Sequence, residues 1–588
     1  MPARTPHPAT SEGSTANGGH RPPLVGRDAE LHTLLNALSD ADAKRGSAVL
    51  LVGESGVGKT RLVTALAEQA VQRGFDVAVG RGYPVETGVP YAVFSDALLP
   101  LLRRLDPSAL TLLTRGGTEE LAQLFPVLAA AARTAGASAR GDPSEVKARL
   151  LWNFSQFLSR YAAKRPLLVV LENLQWADSA SLEMLHFVAR QLGGDRLLVV
   201  ATHNDPELRG NPALRAAELS LRNLGAVERL RLAPLQVGDV GELLARWFEV
   251  DAPRVAPFAE RLHRWTGGNP FFIDEMLKSL IESGQLARGH GGWVGWEVEA
   301  LRVPATIREA TLARLADLSA EARRVADTAA VLGGRATYEE LAAVSELHPD
   351  ALIAAIDRLR SHDVLAEREE AGDIVYDFSH PLLQETLYSE LGLARTRALH
   401  GAIAEALERL YGADAMRRAG ELAFHYARGE RRRLAGKAVQ YLRAAGRDAS
   451  AKYANREAAD YLAAALEIAD QERGADADSV VPELALELVG ELARVRQRLG
   501  DYAAALELWD RALTGTRERA DWGRVATIER SIGLARHWSG SFHEALAHFD
   551  AALDAARLIG DTRLEARILI PRASCRQAVG DPDAARAD

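Results

Sequence analysis

Eight residues, Gly53-Glu54-Ser55-Gly56-Val57-Gly58-Lys59-Thr60, leave this chain little choice of fold. They follow the apolar run 48–52 and open a segment that places Leu62, Val63, Leu66 and Ala70 on one helical face. The glycines let the backbone curl so that successive N–H groups converge on one point. The N-terminus of the following helix adds positive potential there. Such a turn cradles a phosphate chain. Lys59 is placed to reach the β- and γ-phosphates, the Thr60 hydroxyl to join a Mg²⁺ shell, and Arg61 to stand beside them. The expected ligand is a purine nucleoside triphosphate, MgATP foremost, with ADP as its partner state. A glycine-rich turn that only caps a helix has no need of the Lys-Thr pair.

A second apolar run, 167–171, ends in Glu172-Asn173. A carboxylate at that strand end can hold Mg²⁺ through water, and Glu172 is the expected group, with Thr60, for the metal. The next position often carries an acid that activates water, but here it is Asn173. An amide accepts no proton at neutral pH, so nucleotide binding is expected to survive while hydrolysis is slow at most. Asp178 reads as the N-cap of the next helix rather than as a replacement base. The run 197–202 leads into Asn204, a polar group placed to sense the γ-phosphate or simply to form a turn.

Short apolar runs at 48–52, 75–79, 167–171, 197–202 and 227–232 alternate with helical patterns. Several are apolar throughout, as strands covered on both faces must be, and the alternation predicts a doubly wound parallel α/β sheet. Helical patterns fill 235 to about 290, including 237–248 and 258–265, and Gly289 to Trp293 reads as a turn within a hairpin. Trp293 and Trp296 are expected to cover that hairpin rather than to stack on a ligand. Helical patterns between Pro304 and Arg360 precede two short strands, 364–367 and 374–378, joined by a turn at Ala371-Gly372-Asp373. Three helices and a hairpin describe a winged-helix module. Within it, Ile374, Tyr376 and Phe378 alternate with Val375 and Asp377, as along a strand with two unlike faces.

From about residue 396 the pattern is helical and repetitive. Gly500, Gly540 and Gly580 are forty residues apart, and Ala505/Ala545/Ala585, Trp509/Phe549, Ala512/Ala552 and Leu513/Leu553 keep the same spacing. Small residues sit where two helices approach, and an aromatic fills the groove beside them. The unit resembles a tetratricopeptide repeat of lengthened period, with a looser copy around Ala458, Leu462 and Ala465. A plain helical bundle would share the helical spacing. The expected organisation is a disordered tail at 1–23, a P-loop NTPase domain at 24–234, a helical lid and hairpin at 235–300, a winged helix at 301–395 and an α-solenoid at 396–588. The chain stops at Asp588 as a further helix should begin, so either that residue frays into solvent or the chain is a fragment of a longer protein; the second is expected.

A net charge of −9 argues against a protein that wraps nucleic acid along its length. The single cysteine, Cys575, suits a reducing compartment. The N-terminus has no apolar core for a signal peptide, and no run approaches the ~18 apolar residues of a membrane helix. A cytoplasmic location and no membrane contact are expected. His543 and His548 stand five residues apart, which on a helix turns them ~140° from each other and rules out a shared metal. Arg431-Arg432-Arg433 reads as a solvated loop between helices.

Several separated motifs fall into one order: Leu24-Val25-Gly26-Arg27, the 53–60 loop, Gly88-Val89-Pro90-Tyr91, Glu172 to Asp178, Gly267-Gly268-Asn269-Pro270-Phe271-Phe272, and Phe378-Ser379-His380-Pro381. In this order the chain resembles the STAND class of signalling ATPases, specifically the large ATP-binding regulators of the LuxR type. The resemblance implies that Val25, Gly26 and Arg27 lie along adenine, that Pro270 packs near the base, and that His380 approaches the phosphates, although His380 can equally be a helix cap or a core residue. It implies an inducer or protein partner on the helical repeats, self-association in the ATP state, and DNA contact only through a domain beyond Asp588. The family usually carries an acidic pair at Glu172-Asn173 and often arginine at Asn204, departures that bear on hydrolysis rather than affinity. A scaffold that uses ATP for assembly without touching DNA, and a true ATPase, are the alternatives.

Overall fold

The computed structural model describes residues 23–129, 143–205, 210–289, 292–294, 296, 315, 318–370, 373–475 and 482–588. The expected tail, the turn residues His290, Gly291, Ala371 and Gly372, and the helical pattern just after Pro304 lie outside them.

Five strands, β1 (Ser47–Gly53), β2 (Asp76–Arg81), β3 (Leu167–Glu172), β4 (Leu197–Asn204) and β5 (Glu228–Arg231), form one sheet in the order β2-β3-β4-β1-β5. All pairs are parallel. The three inner strands, β1, β3 and β4, are buried almost throughout, which is why they read as largely apolar runs. The edge strands β2 and β5 carry charged residues and are partly exposed. Val49, Leu51, Leu168, Val170, Leu198 and Val200 pack toward the helices Asp28–Asp42 and Lys59–Gln72. Leu50, Val169, Leu171 and Val199 face the opposite layer, which includes the helices Ala92–Leu102 and Ser179–Ala189. The register sets Gly53 opposite Asn204 and Arg81 opposite Glu172, so the groups at the carboxyl edge of the sheet are mutual neighbours.

The helices Val237–Phe248, Ala252–Thr266 and Pro270–Glu282 build a separate core around Leu243, Phe258 and Leu277. A hairpin of β6 (Ala287–Gly289) and β7 (Gly292–Val294) closes it. Trp293 and Trp296 meet Phe248 edge-on at 4.8 and 5.4 Å, so both tryptophans belong to this core.

Next come helices Ala320–Leu332, Tyr338–Ser345 and Pro349–Ser361 with three antiparallel strands, β8 (Arg335–Thr337), β9 (Leu365–Glu370) and β10 (Asp373–Phe378), ordered β8-β10-β9. The strand expected over 374–378 forms as β10, although its burial does not alternate. Ile374 is exposed, whereas Val375, Tyr376, Asp377 and Phe378 are all buried, because Asp377 meets Arg81 of β2 while Tyr376 and Phe378 pack into the core. The helix Leu393–Tyr411 spans the border expected after residue 395 and packs back on this module, with the Tyr411 hydroxyl donating to Glu340 at 2.9 Å.

Beyond it, antiparallel helix pairs stack. Helices begin at 482, 522 and 562 and their partners at 502, 542 and 582, a strict forty-residue period. Gly500, Gly540 and Gly580 turn each pair with φ of +78°, +85° and +87°, a conformation open to glycine at no steric cost. Trp509 and Phe549 are buried beside Ala505 and Ala545, as the repeat pattern requires. One local expectation is corrected, and one alternative that was not preferred is set aside. Arg431, Arg432 and Arg433 open the helix Arg431–Ala451 instead of forming a loop. Their charge at a helix N-terminus is offset by Arg433 pairing with Glu405 at 2.5 Å and Glu430 at 3.1 Å. Asp588 does not fray: its carboxylate accepts from Arg572 Nε at 2.9 Å and from Arg576 at 3.0 Å. Among the described residues no group of histidine, cysteine and acidic side chains could hold a metal ion, and no helix is long and apolar enough to cross a membrane.

Candidate functional site

The 53–60 turn connects β1 to the helix Lys59–Gln72 through Gly56 at φ +80° and Gly58 at φ +100°. A Cβ at Gly56 would stand 2.8 Å from both Asn269 Oδ1 and Phe271 Cβ, whereas one at Gly58 would meet nothing within 4 Å. The first glycine lets the helix Pro270–Glu282 approach. The second leaves open space above the loop.

Lys59 is buried, and its ammonium donates to the carbonyls of Gly53 at 2.9 Å and Glu54 at 2.8 Å and to Asn204 Oδ1 at 2.7 Å. Asn204 is thus brought to the lysine by the β1–β4 register. Arg27 is buried beneath the loop and donates to the Val57 carbonyl at 3.1 Å and the Ala233 carbonyl at 2.7 Å. Its role is to clamp the loop's underside. Gly26 has φ +63°, and a Cβ there would lie 2.5 Å from the Asp239 carboxylate carbon.

One cavity of about 1460 Å³ collects most of the expected residues: Val25, Arg27, Ser55 to Arg61, Asn173, Asn204, Pro270 and His380 all line it. Gly26, Gly53, Glu54 and Glu172 are not among the residues that line it. Glu172 is buried and its Oε2 accepts from Arg81 Nε at 2.6 Å, while Oε1 has no hydrogen-bond partner. The sequence did not announce this ion pair, because it depends on the β2–β3 register. Asn173 sits at φ +59°, with its amide on Thr202 Oγ1 at 3.2 Å and its side chain toward the cavity.

His380 caps the helix Pro381–Glu390, its Nδ1 accepting from the Leu382 amide at 3.2 Å, and its ring stacks on Phe271 with centroids 3.6 Å apart. Burial, then the charges of Lys59 and Lys278, push its pKa down to about 3, so the ring is neutral. With Nδ1 accepting, the proton is on Nε2. Asn269 was not singled out from the sequence. It caps the helix Pro270–Glu282 and its Nδ2 donates to the Ser55 carbonyl at 2.9 Å, while the Phe271 amide donates to the Gly56 carbonyl at 3.2 Å. Asn followed by Pro at a helix start is the signal that could have found it.

Asp178 caps the helix Ser179–Ala189, as expected, and also accepts from the Tyr91 amide at 3.0 Å. A second carboxylate reaches the same helix end from the repeat region: Glu457 Oε1 accepts from the amides of Ser179 at 2.6 Å and Ala180 at 3.2 Å. Gly88 is needed beside it, since a Cβ there would lie 2.3 Å from the Tyr461 hydroxyl. Burial, then the charge of Glu457, raises Asp178 to about 7, and burial raises Glu457 as well. A carboxyl whose pKa is higher folded than unfolded stabilises the fold while protonated, and that contribution fades as pH rises through its folded pKa. The melting temperature is therefore expected to fall between about pH 5 and about pH 8, and Glu457→Gln, which keeps an acceptor without the charge, to flatten that fall. Calorimetric melts of both proteins across this range check it; parallel curves would refute the assignment.

Residues 23–200 match the AAA ATPase domain family. An uncharacterized protein of Rhizobium meliloti (strain 1021) is 26% identical over 502 residues, covering 80% of this chain and 45% of that protein. The chain thus spans less than half the length of that curated relative. Among solved structures, a STAND protein with a tetratricopeptide repeat sensor from Pyrococcus horikoshii covers 96% of this chain and 75% of its own, at 12% identity and a TM-score of 0.43. The Orc1 protein of Aeropyrum pernix, solved in complex with DNA, covers 66% of this chain and 95% of its own, at 18% identity and a TM-score of 0.30. The chain carries, at residues 23–200, an AAA ATPase domain.

Proposed function

We propose that this chain is a nucleotide-dependent signalling switch of the STAND kind, holding ATP or ADP with Mg²⁺ among three parts of the molecule. Those parts are the P-loop, the helices 237–282 acting as a lid, and the β8–β10 module acting as a winged helix. The observation that carries the reading is the single cavity onto which Lys59, Pro270 and His380 all open. The residues fit the ligand. Gly58 has open space where a Cβ would stand, and Thr60 and Glu172, which keeps one buried carboxylate oxygen without a hydrogen-bond partner, are the groups that would hold the metal.

MgATP, when bound, supplies a cleavable γ-phosphoryl group and hence two states of different charge. Lys59 Nζ donates to the Gly53 and Glu54 carbonyls and to the Asn204 side chain. Gripping a phosphate would exchange one of these contacts for a phosphate oxygen. His380 offers Nε2–H without adding a second cation beside Lys59. Asn173 holds no proton-accepting group toward the cavity, so hydrolysis is slow. A ligand biases such a switch only through different affinities for its two conformations, and contacts from the lid and His380 supply that difference.

Calorimetric titration of the full chain with ATP and ADP in magnesium buffer is expected to show one site per chain. Absence of heat would reduce the protein to a helical-repeat scaffold. Asn173→Asp is expected to speed steady-state phosphate release by at least about tenfold with ADP affinity unchanged, since aspartate tolerates the same φ and can take a proton. Unchanged turnover would overturn the role given to that position. Transcriptional output, an inducer or partner on the repeats, and self-association in the ATP form follow from the resemblance to LuxR-type regulators. Sedimentation of the ATP- and ADP-loaded protein, and a DNA-binding assay on it, test them.

A further inference from the structure

The cavity reaches well past the nucleotide grip. At about 1460 Å³ it exceeds the roughly 300–1,000 Å³ of ordinary ligand pockets. His380, Gln384 and Tyr388, on successive turns of one helix, line it over ~12 Å, leading away from the P-loop end. Its far end is walled by Phe424, Arg428, Leu442 and Tyr461 from three further helices. The Arg428 guanidinium lies 3.7 Å from the Phe424 ring centre, and Nη1 donates to the Phe424 carbonyl at 3.2 Å. Solvent reaches Arg428, yet protein surrounds it enough that burial lowers its pKa. Among the described residues it forms no ion pair with a carboxylate.

Glu457 and Asp460 also line this end. Glu457 accepts from the amides of Ser179 and Ala180. Asp460 stands near Arg456 and Arg496. Behind the wall, Tyr388 meets His400 Nε2 at 3.1 Å and His400 Nδ1 meets His425 Nδ1 at 2.9 Å. Burial, with Arg428 nearby, holds both histidines neutral. A planar cation with an open edge, laid on an aromatic ring and flanked by apolar and phenolic walls, matches a planar anion attached to an apolar body.

We propose that this far chamber is a second, small-molecule site, separate from the nucleotide grip, which binds an aromatic carboxylate through Arg428. The carboxylate pairs with the guanidinium fork, and the ring packs against Leu442, Tyr388 and Tyr461. Because the chamber joins the ATPase layer to the first repeat helices, its occupant bridges the two.

The test uses the full chain and 2-naphthoate, a fluorescent aromatic carboxylate, with 2-naphthalenemethanol as the uncharged analogue. Saturable one-site binding of 2-naphthoate is expected, weakened roughly 10- to 150-fold in Arg428→Gln. Lys59→Ala and saturating MgADP should leave it unchanged, and the alcohol should bind as weakly to wild type as the acid does to the variant. Arg428→Lys, which keeps the charge but not the fork, should fall between and guards against misfolding of Arg428→Gln. Equal binding by wild type and Arg428→Gln, loss of binding only in Lys59→Ala or with MgADP, or no saturable binding at millimolar 2-naphthoate would each overturn the proposal.

Discussion

Lys59→Ala is expected to weaken ADP and ATP binding by roughly 30- to 150-fold, the worth of about 2–3 kcal/mol for a hydrogen-bonded charge on a phosphate. The ammonium stands at the loop, held by the Gly53 and Glu54 carbonyls and by Asn204. Removing it leaves the cradle's backbone amides and the helix N-terminus, so residual binding should persist at high nucleotide. The fold should survive, because Leu62, Val63 and Leu66 still pin the same helix to the sheet. Far-ultraviolet circular dichroism and calorimetry on the same sample separate the two. Undiminished affinity in a folded variant would mean that the nucleotide, if bound, lies elsewhere.

Glu457→Lys is expected to open the junction between the ATPase layer and the repeats. The first amides of a helix have no partner within it, and here Glu457 supplies one for Ser179 and Ala180 while Asp178 supplies one for Ser181. The substitution removes both bonds from Glu457 and sets a cation against the positive end of the helix. Together these cost about 3 kcal/mol, so hydrogen exchange at the Ser179 and Ala180 amides should accelerate on the order of 100-fold. Amides in β1 and β4 should keep their protection. Glu457→Gln, which still offers an acceptor, should stay close to wild type. Equal protection of Ser179 in all three proteins would show that the contact holds nothing together. Glu457 and Lys59 line the same cavity.

What the sequence determined by itself was local and periodic. The glycine-lysine turn, the apolar inner strands, the two tryptophans of the hairpin and the forty-residue repeat all rest on near neighbours in the chain. Glycine's freedom at Gly58 or Gly500, and the burial of Trp509 beside Ala505, are written in spacing alone. Tertiary structure decided which distant groups meet. Strand register gave Glu172 to Arg81 and Asn204 to Lys59, domain packing buried Asp377 and made β10 two-sided, and Asn269 became a latch on the P-loop. The junction bond from Glu457 to the helix at Ser179 spans 278 residues and has no signature in either segment. The physical reason is that propensity and periodicity act over a few residues, whereas ion pairs and hydrogen bonds between elements depend on register and packing, which many sequences of the same pattern could settle differently.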